Sequence, residues 1–177
     1  DGAGGCRAVG GVPKNAARSE WWVEKAIATL EALAGQGNIV SMFALASLYA
    51  FGDGVLVEKK RSEQWLEKGA QAGDARATTA LALLLLKDNS DPKQAFQWAK
   101  KAADAGDAEA MTLLAELFVT GDGISRDDKQ ALVWLQKAAD KSHPAAMRLL
   151  AERYDRGDGG SIDKKPTWQW LQKDAND

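Results

Sequence analysis

A tryptophan returns in register along this chain, each time followed three residues later by lysine: Trp22/Lys25, Trp65/Lys68, Trp98/Lys101, Trp134/Lys137 and Trp170/Lys173. Successive gaps are 43, 33, 36 and 36 residues. Self-similarity at such a period marks stacked copies of one supersecondary unit, which bury apolar surface against one another and present an extended binding surface. Architecture is therefore constrained before any local reading.

Upstream of each tryptophan a second set of positions falls into line: Ala44-Leu45-Ala46-x-Leu48-Tyr49, Ala80-Leu81-Ala82-x-Leu84-Leu85, Leu113-Leu114-Ala115-x-Leu117-Phe118 and Leu149-Leu150-Ala151-x-Arg153-Tyr154. Apolar residues at this spacing predict a buried helical stripe, here named helix A. Three copies end at paired glycines, Gly52-Asp53-Gly54, Gly121-Asp122-Gly123 and Gly157-Asp158-Gly159, where left-handed backbone stops a helix. The second copy has Lys87-Asp88-Asn89-Ser90 instead and is three residues shorter.

Seven residues before each tryptophan stand Asn15, Glu58, Asp91, Asp127 and Asp163. Asn and Asp cap helix N-termini, and Pro92 follows Asp91 where proline suits a first helical position. Helix B is expected to start there. Glu58 is the weakest member, and Ser125 with Asp128 offers a competing capping box. Helix B ends at Gly73-Asp74, Gly106-Asp107 and Ser142-His143. The longest gap adds seven residues inside a helix expected from about Ala16 to Gln36, two turns that leave its faces nearly in phase.

With 45% hydrophobic and 27% charged residues over 177, the chain can bury a continuous core. Its net charge of −2, with Lys and Arg dispersed, offers no footprint for nucleic acid. The longest aliphatic run, Leu81 to Leu86, is far short of the roughly 20 residues of a membrane helix. The single cysteine, Cys6, excludes an internal disulfide and a cysteine-based zinc site. No cofactor or metal is expected. The chain starts at Asp1 without methionine, which suits either a processed export product or trimming of a longer chain.

Helix A, a Gly-x-Gly-Val-like corner, a capping Asp, Ala-x-x-Trp-x-x-Lys-Ala-Ala and Gly-Asp together resemble the Sel-one-like repeat (SLR), a relative of the tetratricopeptide repeat. The nearest copy reads Gly121-Asp122-Gly123-Ile124, Asp127, Ala131, Trp134 and Lys137-Ala138-Ala139. The resemblance runs from about Gly11 to Lys173. It departs at the second corner, at Ser142-His143, at Arg153 in an aliphatic position, and at Thr29, where the long helix had room for another tryptophan. The resemblance implies an all-α, right-handed superhelical solenoid of antiparallel helix pairs that serves as an adaptor for other proteins. The expected layout is a glycine-rich tail over 1–10 and one solenoid over 11–177: a half repeat at 11–38, then full repeats at about 39–73, 74–106, 107–142 and 143–177.

The tryptophans read as core wedges, each lysine stem lying along a ring with its ammonium in water. A cation–π role is the lesser reading. Arg156-Gly157-Asp158 spells an adhesion triplet, but Gly-Asp recurs at Gly52-Asp53 and Gly121-Asp122 without arginine, so the corner explains it. Asp155, Asp158 and Asp163 miss the alternate-position spacing of a calcium loop. His143, the only histidine, stands where Asp74 and Asp107 start the other helices A, and with Cys6 it makes no convincing catalytic pair. No enzymatic activity is expected. In a longer precursor Cys6 is a candidate for lipidation.

In related solenoids helix A lines the concave side, which makes its outward positions the binding candidates. Offsets from the buried stripe give Phe43, Ser47 and Phe51; Thr79, Leu83 and Lys87; Thr112, Glu116 and Thr120; and Arg148, Glu152 and Arg156. Phe43, Phe51 and Leu83 are the expected apolar anchors, with Ser47 between the phenylalanines. Lys87, Glu116, Arg148, Glu152 and Arg156 supply charge for register and specificity. Phe43 and Phe51 have an alternative place under the glycine-rich segment. The expected partner is another protein, the chain alone a monomer. A sharper version of the resemblance is a bacterial periplasmic immunity protein that neutralises a secreted toxin such as a lipase. A competing class is a self-associating assembly factor, stacking through Trp168 and nearby surface.

Overall fold

The structure is a computed structural model, and it describes residues 14–52, 58–87 and 91–157, with side chains from Trp21 onward. The Gly-rich tail with Cys6, the corner residues 53–57 and 88–90, and Asp158, Asp163, Trp168 and Trp170 lie outside the described residues. Among the described residues every regular element is an α-helix: α1 (Lys14–Gly35), α2 (Ile39–Phe51), α3 (Lys59–Gln71), α4 (Ala75–Lys87), α5 (Pro92–Asp104), α6 (Ala108–Thr120), α7 (Asp128–Asp140) and α8 (Pro144–Arg156). Odd-numbered helices are helix B and even-numbered ones helix A, and the chain is an all-α helix-pair repeat.

Local chemistry sets most of these boundaries. Asp91 accepts from the Gln94 amide at 2.9 Å, and Asp127 accepts from Lys129 and Gln130 at 3.0 Å, so both cap helix B as expected. Asn38, Asp74 and Asp107 cap helix A in the same way, through the amides of Ser41, Ala77 and Ala110. Gly52, Gly121 and Gly157 close α2, α6 and α8 in left-handed backbone. Two expectations differ. The long helix begins at Lys14, which puts Asn15 inside its first turn rather than before it. Glu58 precedes α3 but turns its carboxylate to Arg61 at 3.0 Å, a long side chain having a better partner there than the first-turn amides.

The chain divides into two compact units, Asp1–Trp65 and Leu66–Asp177, with α3 crossing from one to the other. In the first, Ile27, Leu30 and Ala34 of α1 meet Met42, Leu45 and Tyr49 of α2 and Trp65 of α3. The Tyr49 hydroxyl accepts from Arg61 at 3.0 Å, and the guanidinium lies over the same ring. In the second unit the Lys-Ala-Ala segments are the contact surface: Ala102, Ala103, Ala138 and Ala139 are buried against Met111, Leu114, Met147 and Leu150. Small residues let adjacent helices approach closely, and at Gly69 the space is tighter still, since an added Cβ would stand 2.8 Å from that of Ala77.

The tryptophans divide into two kinds. Trp65, Trp98 and Trp134 are half-buried at the margins of these cores. The Lys101 ammonium lies 4.9 Å over Trp98 and that of Lys137 3.9 Å over Trp134, while both lysines stay exposed. A half-buried ring leaves one negative π-face open, and the nearest cation covers it. Lys101 also donates to the Ala70 carbonyl at 3.4 Å, joining the last turn of α3 to α5.

Trp22, by contrast, is 60% exposed and is not core. Counted back from the corner, the residue eight before Gly37 is Thr29, as Trp65, Trp98 and Trp134 stand eight before Gly73, Gly106 and Ser142. Trp22 is therefore displaced two turns, about 10 Å, along α1. There it makes an edge contact with Trp21 at 4.6 Å, and Lys25 covers Trp21 instead.

Candidate functional site

The fifth, ninth and thirteenth residues of each helix A are spaced by four and form an oblique ridge on its surface. On α2 these are Phe43, Ser47 and Phe51; Phe43 is 40% and Phe51 73% exposed, with Ser47 half-buried between them. On α4 the ridge carries Leu83, 43% exposed, and the exposed Lys87. On α6 Glu116 and Thr120 are exposed, and on α8 Arg148 and Arg156 are exposed with Glu152 half-buried.

Thr79 and Thr112 break the expectation of an outward face, since both are buried. The Thr79 hydroxyl lies 2.9 Å from the Ala75 carbonyl and 2.7 Å from the Asp107 carboxylate that caps α6. Thr112 lies 2.9 Å from the Ala108 carbonyl and 3.0 Å from Nδ1 of His143, at the start of α8. A hydroxyl can be buried when it is bonded, and here it ties one helix A to the cap of the next. His143 is occupied in the same ladder and gives α8 no side-chain cap.

Within the second unit the structure brings three candidates together. Arg148 pairs with Glu152 at 3.1 Å along α8 and exerts an attraction on Glu116 across on α6. Partial burial raises the Glu116 carboxyl above its ordinary value, and Arg148 only partly offsets this. Glu116 accepts no hydrogen bond from the described residues. Lys87 and Arg156, one turn or more along their helices, form no ion pair with it among the described residues.

Sequence reasoning missed Val40, which is 70% exposed one turn before Phe43 on α2. Its spacing from Phe43 was the available signal, hidden because an aliphatic residue at a helix start reads as buried. Arg153, in an aliphatic position, reaches Asp128 at 3.8 Å from the first turn of α7. Neither feature resembles a reaction centre, and among the described residues no group of three His, Cys, Asp or Glu could hold a metal ion. No described helix is long and apolar enough to cross a membrane.

A family model for the Sel1 repeat matches residues 4–28, 39–74, 75–107, 108–143 and 144–173. The chain belongs to the Sel1 repeat family. Sel1 repeat proteins are generally protein-interaction modules, typically non-catalytic scaffolds. Among solved structures, the chain is similar to a Sel1 repeat protein from Oxalobacter formigenes, with a TM-score of 0.77 and 27% identity over 85% of this chain and 63% of that one. It is also similar to a protective antigen of uropathogenic Escherichia coli strains that displays an SLR fold, with a TM-score of 0.76 and 32% identity over 84% of this chain and 32% of that one. The chain thus spans under two thirds of either relative. An immunity protein from Pseudomonas aeruginosa shares the fold at a TM-score of 0.54 and 13% identity, over 96% of this chain and 84% of that one. No curated protein sequence matches the chain.

Proposed function

We propose that the chain recognises another protein through the ridge residues of helix A, with binding rather than catalysis as its activity. The observation that carries this reading is the exposure of Phe51, Phe43 and Leu83 on the ridges of their helices A. Water-facing aromatic and aliphatic side chains grouped with charges are a common feature of recognition surfaces. Each unit offers its own ridge: the first an apolar one on α2, the second Leu83 on α4 with charged residues on α6 and α8. Val40 extends the apolar part.

In its finer form the reading makes the chain a bacterial inhibitor that covers the working surface of a secreted toxin such as a lipase. The immunity protein's likeness supports the suitability of the fold for that task and no more. The test is affinity capture with the intact chain and with the variants Phe43→Ala/Phe51→Ala and Arg148→Ala/Arg156→Ala. Both variants should keep the helical content and melting temperature of the parent while losing the captured protein. Capture that survives both variants, or a melting temperature that collapses in the first, would defeat the proposal. Neutralisation of a toxin encoded beside this gene decides the finer form.

A further inference from the structure

Positions that are buried in α3, α5 and α7 stand open on α1. By the corner register Ala26 corresponds to Ser62, Ala95 and Ala131, all buried, yet Ala26 is exposed. Leu30 corresponds to the buried Leu66, Ala99 and Leu135 and is only half-buried. Leu33 is 38% exposed where Gly69, Ala102 and Ala138 are buried. In the second unit α5 packs between α4 and α6, and α7 between α6 and α8, whereas α1 packs on α2 through Ile27, Leu30 and Ala34. Along the open side, Trp22, Ala26, Thr29 and Leu33 are all exposed and follow one another at intervals of four, three and four residues, the spacing of a coiled-coil seam. The Thr29 hydroxyl donates to the Lys25 carbonyl at 2.8 Å, so it can be covered without losing its hydrogen bond. No charge enters the seam: at 3.6 residues per turn Glu24 and Glu31 are on the opposite side of the helix, and the Lys25 ammonium lies 4.8 Å over Trp21.

The seam is also self-complementary. Two copies run antiparallel about a two-fold axis midway between Ile27 and Ala28 set Trp22 of each level with Leu33 of the other, and Ala26 level with Thr29. Small side chains then meet at the centre, where the helices can approach closely, and large apolar ones close both ends. We infer that a second copy of this chain covers the open side of α1, through an antiparallel α1–α1 pairing that forms a closed two-fold dimer. The dimer replaces the monomer expected from the sequence. It uses none of the helix A ridge residues, so dimerisation and partner capture can fail separately. The seam from Trp22 to Leu33 is only about 16 Å long, short of a standard interface, and the dissociation constant is expected on the order of 10–100 μM.

Sedimentation equilibrium of the full chain up to about 1 mM tests the pairing, with Ala26→Lys and Leu33→Lys in the seam and Ala28→Lys as a control on another exposed face of the same helix. The expected result is a reversible monomer–dimer equilibrium with no larger species. Each seam substitution weakens it about tenfold or more by burying a charge, and Ala28→Lys leaves it unchanged. All three variants should keep the helical content of the parent, which excludes misfolding as the cause of lost association. Orientation is read by pulsed electron paramagnetic resonance from a nitroxide on Gln36→Cys in a Cys6→Ser background. Antiparallel pairing sets the two labels about 25 Å apart along the axis, and parallel pairing brings them to about the 10 Å between helix axes. A chain that stays monomeric, an open series of higher oligomers, a dimer indifferent to both seam substitutions, or labels at the shorter distance overturns the inference.

Discussion

Gly121 and Gly123 occupy one corner, between α6 and α7, with nearly the same backbone at φ 82° and 74°. Their surroundings differ. A Cβ at Gly121 would have its nearest atoms at 3.5–3.8 Å, ordinary contact with Ile124 and Arg126. A Cβ at Gly123 would overlap the Pro92 carbonyl and stand 2.8 Å from the Lys93 nitrogen, both backbone groups in the first turn of α5. Gly121→Ala should therefore cost only the left-handed conformation, about 1 kcal/mol. Gly123→Ala adds the displacement of a backbone segment, which overpacking data put at about 1–3 kcal/mol, for a total of roughly 3. The moving turn includes the 2.9 Å cap from Asp91 to Gln94, so little of the clash can be relieved locally.

Thermal unfolding followed by far-UV circular dichroism measures both variants against the parent. For a chain of this size the extra 2 kcal/mol or so separates the two melting temperatures by about 4–8 °C, with Gly123→Ala the lower. Equal losses would refute the reasoning, because they would mean that the corner after α6 does not press on the start of α5. The family spacing of Gly-x-Gly would then reflect turn conformation alone.

Four further outcomes follow from other parts of the chain. The Ser62 hydroxyl is buried without a hydrogen-bond partner among the described residues, where Ala95 and Ala131 occur in later repeats, so Ser62→Ala should raise stability by about 1 kcal/mol in the same assay. Ser142 holds φ 59° where Gly106 holds 95°, and Ser142→Gly should gain up to about 1 kcal/mol; a loss would show that its side chain contributes a contact. Trp134→Ala removes a half-buried ring and the Lys137 contact and should cost about 3 kcal/mol, against less than about 1 for Trp22→Ala. Glu116 binds its proton more tightly folded than unfolded, so its charge costs stability above the unfolded value. Glu116→Gln should therefore match the parent in acid and become the more stable protein as pH rises through the carboxyl's titration, which melting curves over a pH series will show.

What could be read from the residues was whatever depends on near neighbours. Asp91 and Asp127 act on amides two or three residues away, and Gly52, Gly121 and Gly157 act on their own backbone, so a linear scan finds them. Thr79 and Thr112 were misplaced because their partners lie 28 and 31 residues on, and nothing inside α4 or α6 reveals them. A polar side chain on a helix reads as solvent-facing until its partner is known. Trp22 was misplaced for a different reason. The motif was counted from the ring, whereas burial is set from the corner glycine, and the two registers part by the seven residues added to α1. The ridge candidates on α6 and α8 were legible as outward charges, but the pairing of Arg148 with Glu152 was not, since which acid Arg148 chooses is a matter of rotamers.

The fifth position of helix A shows how closely structure and recognition are coupled in this repeat. Thr79 and Thr112 use it to hold the cap of the following helix A, and both are buried. Phe43 and Arg148 stand at the same position without a hydroxyl to offer, and both face water. Asp74, the cap that corresponds to Phe43, turns instead to Arg76 at 3.4 Å. A side chain at this position can thus tie repeats together or face a partner, but a residue large enough to reach out no longer fits the ladder. In consequence a Thr79→Phe or Thr112→Arg exchange should not extend the binding surface. It should remove a ladder bond, leave Asp107 or His143 without its partner, and lower stability by about 1–3 kcal/mol. A variant of either kind that melts with the parent would show that the ladder is incidental and that the fifth position is free for recognition in every repeat.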